Sequence, residues 1–468
     1  MFQPKRWPAE ALLPIVAGFV WLKYAHSFGI LELLLAVLPG CLLLSSGFAA
    51  LLYPGDGRIP QFIAMGGLLG IILGIPVLFL ASPLLGLALM VLSAAAFICA
   101  GAVSLTQEPH VKDVPEPERS VRLAAEIAVD DAVLGVLGFM VPIMVGRDPA
   151  NIRREVHEAR VLFQGHGWLA NPAAYHQTPP ALEQHWMKLR RSSRLRFEHL
   201  SFESFYEPHP GEPGRKRWLS NASNDTAHAW LLRHPGPPRP WLVCIHGYTM
   251  GSPGLNFSAF QAAHLHQQLG LNLAFPILPY HGPRKAGRWH GKGFISGDFM
   301  DLIHAEAQAV WDLRRIIAWL RTQGELPVGV YGLSLGGYNA ALLASLDAQL
   351  ACAIAGVPAT GLVELKWRHG PVLYIRYAEH HGLVHDEVSE VMRVVSPLAL
   401  SPVVPKERRY LFGAVGDQLA PVEQIRNLWR HWDHPSVLYY QGAHCTFRFH
   451  PAVTAFIDKA LRESGLVS

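Results

Sequence analysis

The chain has 468 residues, more than one ordinary domain of roughly 100–200 residues, and half of them are apolar while only 16% are charged. This composition excludes a disordered chain and a collagen-like repeat, and five scattered cysteines without a CxxC pair argue against a disulfide scaffold or a zinc site. A formal net charge of +4 is too mild to indicate nucleic-acid binding, which needs a concentrated basic face.

The N-terminal part, residues 1–107, is depleted in charge. Between residues 30 and 107 only three side chains are charged: Glu32, Asp56 and Arg58. A bilayer crossing needs about 20 apolar residues, and a soluble core helix rarely lacks charge on every face. The sequence therefore predicts three membrane-spanning helices, at 33–55, 61–80 and 84–105, the last two separated by Ser82-Pro83.

A shorter apolar segment at 11–22 leaves the number of spans open. It is compatible with a fourth span, an interfacial helix or a signal-peptide core, and Lys23 fits the signal peptide least. Lys5 and Arg6 favour a cytoplasmic N-terminus. Four spans would return the chain to the cytoplasm, whereas three would leave the C-terminal domain outside. We favour four spans and a cytoplasmic C-terminal domain.

Residues 108–237 are predicted to be a linker and an N-terminal extension of the next domain. Residues 108–122 are charged and proline-rich, as linkers are. The apolar segment 132–146 is short for a span, so it either packs on the next domain or lies in the membrane interface. A cationic run without acids follows, which is usually solvated but would contact anionic headgroups beside a membrane. Its members are Lys188, Arg190, Arg191, Arg194 and Arg196.

From residue 238 to 468, short apolar strands alternate with helices. Strands are predicted at 241–245, 273–278, 327–331, 351–357, 409–415 and 436–440. Residues 301–321 have the apolar periodicity of a helix. This alternation predicts a mainly parallel sheet with helices on both faces.

One strand runs directly into Gly332-x-Ser334-x-Gly336 and then into an alanine-rich helix. At so sharp a turn the middle residue is strained, and neighbouring Cβ atoms would clash, which explains the glycines. Ser334 would then stand at a helix N-terminus, where the dipole favours developing negative charge. The motif is common by chance, and its position between a strand and a helix is what gives it weight.

Two later strands are followed by the partners that a serine nucleophile needs. Asp417 follows the strand at 409–415, and His444 follows the strand at 436–440. Loops after parallel strands open at the same edge of a sheet, so we expect Ser334, Asp417 and His444 to converge there. His444 would take the serine proton and return it to the leaving group, with Asp417 orienting the ring. The nearest alternatives are Asp433, His434 and His450.

These features resemble the α/β-hydrolase superfamily over residues 238–462. The matching motifs, each after a strand, are His246-Gly247, Gly332 to Gly337, Gly416-Asp417 and Gly442-Ala-His444. The resemblance implies an oxyanion hole built from the backbone N–H groups of Tyr248 and Leu335. We expect His246 to support that loop.

The resemblance also implies a lid at 361–395. The loop 278–284 follows a strand and therefore lies on the same rim. In that loop, His281 and Arg284 are candidates either for the pocket wall or simply for loop structure. We assign no cofactor, because the three histidines of the lid have no carboxylate or cysteine at ligand spacing.

The sequence therefore predicts a membrane-anchored serine hydrolase that acts on a small-molecule or lipid ester through an acyl-enzyme on Ser334. A serine peptidase or an acyltransferase would use the same residues. A non-enzymatic membrane scaffold that retains the fold is the remaining alternative. Neither the substrate nor the oligomeric state follows from the sequence.

Overall fold

The computed structural model describes residues 11–25, 29–144, 148–192, 195–295 and 298–467. These residues form two compact units. The helical unit contains the described residues up to Met140, together with Ala414–Val422 and Gln441–Phe447. The sheet unit contains the remaining described residues. The predicted domain limits after residues 107 and 237 stay a prediction.

Five helices form most of the helical unit: α1 (Leu12–Ala25), α2 (Ile30–Leu52), α3 (Ile59–Leu80), α4 (Pro83–Gln107) and α5 (Val121–Met144). Pro60 and Pro83 lie in the first turns of α3 and α4, where a missing backbone N–H costs no hydrogen bond. The two helices are separated at Ser82-Pro83, as the sequence predicts.

Small side chains allow these helices to pack closely. A Cβ atom on Gly101 of α4 would lie 1.8 Å from the carbonyl oxygen of Ala124 on α5, so only glycine fits there. The apolar core of the unit includes Ala128 and Ala132 of α5, and the latter lies in the segment 132–146 singled out in the sequence. Residues 145–147 of that segment lie outside the described residues.

Among the described residues, three helices are long and apolar enough to cross a membrane: Leu35–Leu52, Ile59–Leu80 and Pro83–Gln107. They coincide with the three spans predicted from the sequence. The segment Leu12–Tyr24 is also apolar but shorter. The fourth span and the side of the membrane stay predictions, and Lys5 and Arg6, on which the orientation rests, lie outside the described residues.

A nine-stranded sheet forms the centre of the sheet unit, in the order β1-β2-β3-β5-β4-β6-β7-β8-β9. The five strands β4 to β8 run parallel to one another. On one side of them, β3 pairs antiparallel with β5, β2 with β3, and β1 with β2. The strands are β1 (Trp186–Ser192), β2 (Leu195–Glu203), β3 (Thr226–Leu232), β4 (Trp241–Ile245), β5 (Asn272–Ile277), β6 (Val328–Leu333), β7 (Ala353–Gly356), β8 (Arg409–Ala414) and β9 (Ser436–Tyr440).

The sheet unit also contains the helices α6 (Pro149–Gly165), α7 (Arg215–Leu219), α8 (Pro253–Ala259), α9 (Phe299–Arg321), α10 (Leu335–Leu346), α11 (Leu362–His369), α12 (Val372–His380), α13 (His385–Met392), α14 (Val422–His431) and α15 (Pro451–Glu463). Of these, α9, α10 and α15 pack directly on strands of the sheet. All residues of β4 to β8 are buried, as expected for a parallel sheet covered on both faces. The chain therefore has the predicted α/β-hydrolase fold class, preceded by an apolar helical region.

Two predicted segments fall on definite elements of the sheet unit. The proposed lid at 361–395 contains α11, α12 and α13, and its role as a lid stays a prediction. The cationic run begins on β1, a strand at the sheet edge that is exposed along almost its whole length. Arg194 of that run lies outside the described residues, and the contact with headgroups stays a prediction.

Candidate active site

The turn between β6 and α10 holds Ser334 in a backbone conformation that residues other than glycine rarely adopt. Its φ is 57° and its ψ is −115°, and a strained residue of this kind costs of order 1–3 kcal/mol. A Cβ atom on Gly332 would lie 1.9 Å from the carbonyl oxygen of Gly336, and one on Gly336 would lie 1.8 Å from that of Ile245. Space alone therefore requires both glycines of the motif.

Backbone hydrogen bonds hold the strained turn on both sides of the serine. The N–H of Ser334 donates to the carbonyl of Gly356 on β7 at 2.9 Å, and its carbonyl accepts from the N–H of Tyr338 at 3.0 Å. Ser334 is partly exposed between two buried leucines. It precedes the first turn of α10, whose N–H groups have no acceptor inside the helix and favour negative charge.

The loop after β4 lies against this turn. A Cβ atom on Gly247 would lie 3.3 Å from the Cβ atom of Ser334. His246 is fully buried: its Nδ1 donates to the carbonyl of Gly247 at 2.8 Å, and its Nε2 accepts from the N–H of Leu278 at 3.2 Å. Burial lowers the pKa of His246 to about 4, so the ring is neutral at pH 7, as this pair of bonds requires. His246 thus ties the Gly247 loop to the end of β5.

The two predicted oxyanion donors lie on this loop and on α10. Leu335 is the first residue of α10, so its N–H belongs to the unsatisfied helix start. Tyr248 follows Gly247, and its ring packs edge-on to that of His281 with centroids 5.8 Å apart. Donation by both N–H groups to an oxyanion stays a prediction.

The loops that follow β8 and β9 bring Asp417 and His444 together in the helical unit. His444 Nδ1 donates to Asp417 Oδ2 at 2.7 Å, and both side chains are buried. Asp417 Oδ1 also accepts from the N–H of Ala420 at 2.7 Å, which fixes the carboxylate. With its Nδ1 proton held by the carboxylate, the neutral ring has Nε2 as its proton acceptor.

The charges around His444 favour its cationic form. Burial works against the charged ring, but the negative charge of Asp417, its hydrogen bond and the charge of Asp130 together raise the pKa of His444 above its usual value. These negative charges stabilise the imidazolium that forms when a histidine base accepts a proton.

The structure thus pairs Asp417 with His444, whereas Ser334 belongs to the sheet unit. The convergence of all three stays a prediction. The alternatives Asp433 and His434 are exposed neighbours whose closest approach is 3.8 Å.

The two pocket candidates have different surroundings. His281 is fully buried, and its Nδ1 donates to the carbonyl of Pro279 at 2.8 Å. Arg284 is also fully buried; its Nη1 donates to Asp312 Oδ2 at 2.9 Å, and its Nη2 donates to the carbonyl of Asn224 at 2.9 Å. These contacts favour a structural role for Arg284, and contact of either residue with a substrate stays a prediction.

Two sequence relatives decide the family. The uncharacterized proteins MT2702 of Mycobacterium tuberculosis strain CDC 1551 and Rv2627c of strain H37Rv are each 40% identical to this chain over 365 residues, which is 78% of this chain and 87% of theirs. The chain belongs to their family. No family model matches it.

Several solved structures are similar to this member of the Rv2627c family at low identity. Acetyl xylan esterase 1 from Thermoanaerobacterium is 14% identical with a TM-score of 0.41, covering 64% of this chain and 98% of that chain. The acetyl xylan esterase from Paenibacillus sp. R4 is 17% identical with a TM-score of 0.45, covering 62% and 93%. An esterase from Pyrococcus furiosus is 16% identical with a TM-score of 0.38, covering 61% and 97%. At these scores neither activity nor substrate carries over to the Rv2627c family.

One residue beside the Asp417–His444 pair was not among the predicted site residues. Asp130 of α5 is fully buried, and both of its carboxylate oxygens accept hydrogen bonds from the backbone of the two loops. The signal for it in the sequence was the adjacent pair Asp130-Asp131 within an otherwise apolar stretch of helix. Buried acids are rare unless they are partnered.

Proposed function

We propose that the protein is a membrane-anchored serine hydrolase that cleaves carboxylic esters through an acyl-enzyme formed on Ser334. The observation that carries this proposal is the 2.7 Å hydrogen bond from His444 Nδ1 to Asp417 Oδ2. It fixes the tautomer in which Nε2 accepts a proton, which is the arrangement that a general base for serine needs. The strained turn at Ser334, flanked by two required glycines, supports the same chemistry.

In the proposed reaction, Ser334 Oγ attacks the ester carbonyl while its proton passes to His444 Nε2. The carbonyl oxygen becomes an oxyanion that accepts hydrogen bonds from the N–H groups of Tyr248 and Leu335, each worth about 3–4 kcal/mol in the barrier. The C–O bond then breaks, and the alcohol leaves with the proton from His444. Water, deprotonated by the same ring, attacks the acyl-serine, and the ring returns that proton to Ser334 Oγ as the acyl C–O bond breaks and the carboxylic acid leaves.

The membrane part of the proposal is supported by the composition and surface of the three long helices. Each of them is apolar throughout a stretch of bilayer length. Large apolar side chains point outward from α3 and α4, among them Phe79, Leu84 and Val91, which are 83%, 79% and 59% exposed. Such surfaces are unfavourable in water and favourable in lipid. An anchored enzyme would meet lipid-like esters, and the exposed Leu373 on α12 suits an amphipathic substrate.

The test is a fluorophosphonate probe applied to the full chain in detergent, with the adduct located by mass spectrometry. We expect a single adduct on Ser334 that is absent from Ser334→Ala. A folded wild-type sample that takes up no probe would contradict the hydrolase proposal and favour a scaffold.

The substrate class is tested by assaying short-chain esters, long-chain esters, phospholipids and peptide amides in parallel. We expect ester cleavage, with faster turnover of long acyl chains. Preferred cleavage of amides would identify a peptidase. Transfer of the acyl group to an added alcohol faster than to water would identify an acyltransferase.

A further inference from the structure

Asp130 connects the two loops that carry the acid–base pair. Its Oδ2 accepts from the N–H of His444 at 2.7 Å and from the N–H of Gln418 at 3.1 Å. Its Oδ1 accepts from the N–H of Cys445 at 3.0 Å. One carboxylate therefore binds the backbone next to Asp417 and the backbone of His444 itself, and hydrogen bonds of this charged kind are short and strong.

The hydrogen bond between Asp417 and His444 can form only when their two loops lie at the correct distance from each other. Asp417 and His444 lie on different strand connections, and their 2.7 Å hydrogen bond requires both backbones to be fixed. The loops share one further direct backbone bond, from the N–H of Gly416 to the carbonyl of Gly442 at 3.0 Å. Asp130 adds one hydrogen bond to the Asp417 loop and two to the His444 loop, so a shift of its carboxylate would move the ring relative to Asp417.

The neighbouring acid, Asp131, faces a different partner. Its Oδ2 accepts from Ser104 Oγ on α4 at 2.7 Å, and it is as deeply buried as Asp130. Consecutive residues of α5 thus connect on one side to the last long apolar helix and on the other side to the acid–base loops. The close approach of Gly101 to Ala124 holds α4 and α5 together at this level.

Resting on the proposed function, we propose that Asp130 is a positioning residue that holds His444 against Asp417 by accepting hydrogen bonds from three backbone N–H groups of their loops. Asp130 holds the ring through the backbone and adds a negative charge near it, but it does not touch the reacting atoms.

The charges around Asp130 provide a readout. Burial and the charge of Asp417 raise the pKa of Asp130, while the charge of His444 and the backbone donors lower it and favour the carboxylate. The titratable groups that face it from the loops are Asp417, His444 and Cys445. On α5, Asp131 accepts from Ser104, and Glu126 accepts from Thr446 Oγ at 2.7 Å.

The test compares Asp130→Asn with Asp131→Asn in the full chain, measuring kcat, KM and the rate of fluorophosphonate labelling. Asparagine keeps the shape of Asp130 but puts an NH₂ group where an oxygen accepted a backbone N–H. We expect Asp130→Asn to lower kcat and the labelling rate by about 10- to 100-fold with KM unchanged, because small displacements of a catalytic group have effects of this size. In the matched control Asp131→Asn, kcat and the labelling rate should stay within about twofold of wild type, because this residue does not hold the acid–base loops.

The dependence of labelling on pH separates positioning from plain stability. The base works as a neutral ring, so labelling falls as pH drops through the pKa of His444. Removing the negative charge of Asp130 makes the imidazolium less stable, so in Asp130→Asn the acid limb should move to lower pH, and in Asp131→Asn it should not. Normal kcat and an unmoved limb in Asp130→Asn would overturn the proposal.

A second measurement covers the case in which activity is absent. Hydrogen–deuterium exchange at the amides of residues 418, 444 and 445 should speed up in Asp130→Asn and in Asp130→Ala, while exchange in α9 stays as in wild type. Unchanged exchange at these three amides would also overturn the proposal. Failure of the wild-type protein to react with the probe would instead contradict the proposed function. The exchange measurement would still decide whether Asp130 holds the two loops.

Discussion

The sheet unit and the helical unit hold their proposed catalytic groups by different means. The position of Ser334 is fixed by residues close to it in the chain. The sharp turn that carries it forms only with glycine at positions 332 and 336, because a Cβ atom at either position would clash with the backbone. His444 depends on distant parts of the chain: Asp417 lies 27 positions away, and Asp130 lies 314 positions away. A nucleophile can therefore be specified by a short motif, whereas its acid–base partner is specified by tertiary contacts.

The largest effect is expected from removing the base in the helical unit. We expect His444→Ala to lower kcat by about 10⁴-fold or more, as loss of a triad member does, with the fold intact. The control is His434→Ala, which removes an exposed ring next to the last strand. Steady-state kinetics on an ester measure both. If His434→Ala lost activity and His444→Ala retained it, the assignment of the base would be wrong.

The second prediction tests whether the turn that holds Ser334 requires glycine at position 336. We expect Gly336→Ala to reduce probe labelling by more than about 100-fold, because the new Cβ would lie 1.8 Å from the carbonyl oxygen of Ile245 and would displace the turn by about an ångström or more. Gly165→Ala is the matched control, since no atom lies within 4 Å of its Cβ position. Equal labelling of the two variants would show that the turn tolerates a side chain.

How far the sequence could predict the fold depends on the kind of element. Strands β4 to β8 are predictable from the sequence, because central parallel strands are continuous apolar runs separated by helical periodicity. The edge strand β9 is predictable from its run of strand-forming residues, Ser436–Tyr440. Strands β1 to β3 were not assigned. β1 is exposed along almost its whole length and carries several cations, so it has no apolar pattern to read. Its place in the sheet comes from antiparallel pairing with β2, which depends on β3 and β5.

The site residues also divide into those that the sequence predicts and one that it does not. Ser334, Asp417 and His444 are predictable from their positions after strands, because the loops that follow parallel strands open at the same edge of a sheet. Asp130 could not be named with them. It lies before the whole sheet in the chain, and a buried acid in an apolar helix reveals that it needs partners but does not reveal which ones.

A third effect concerns stability of the sheet unit and the role of Arg284. We expect Arg284→Met to destabilise the fold by about 3–5 kcal/mol, because it leaves the buried carboxylate of Asp312 without its cation. Thermal unfolding in detergent measures this loss. Labelling of Ser334 in the folded fraction should be unchanged, since the guanidinium binds protein groups.

The double variant Arg284→Met/Asp312→Leu provides the control for the Arg284 experiment. It removes both charges and should recover part of the lost stability. A normal melting temperature with a raised KM in Arg284→Met would instead identify Arg284 as a residue that contacts the substrate.

The smallest effect is expected inside the helical unit, away from the acid–base loops. Trp21 Nε1 donates to Ser93 Oγ at 2.9 Å between α1 and α4, in a fully buried contact. In the proposed membrane location, a hydrogen bond between helices contributes on average about 0.6 kcal/mol, so Ser93→Ala should lower the unfolding temperature only slightly. Probe labelling should not change, because among the described residues the side-chain hydrogen bond of Ser93 is to Trp21 and not to Asp130 or its loops. A large loss of labelling in Ser93→Ala would mean that the acid–base pair depends on the packing of the whole helical unit. The proposal that Asp130 in particular positions His444 would then be wrong.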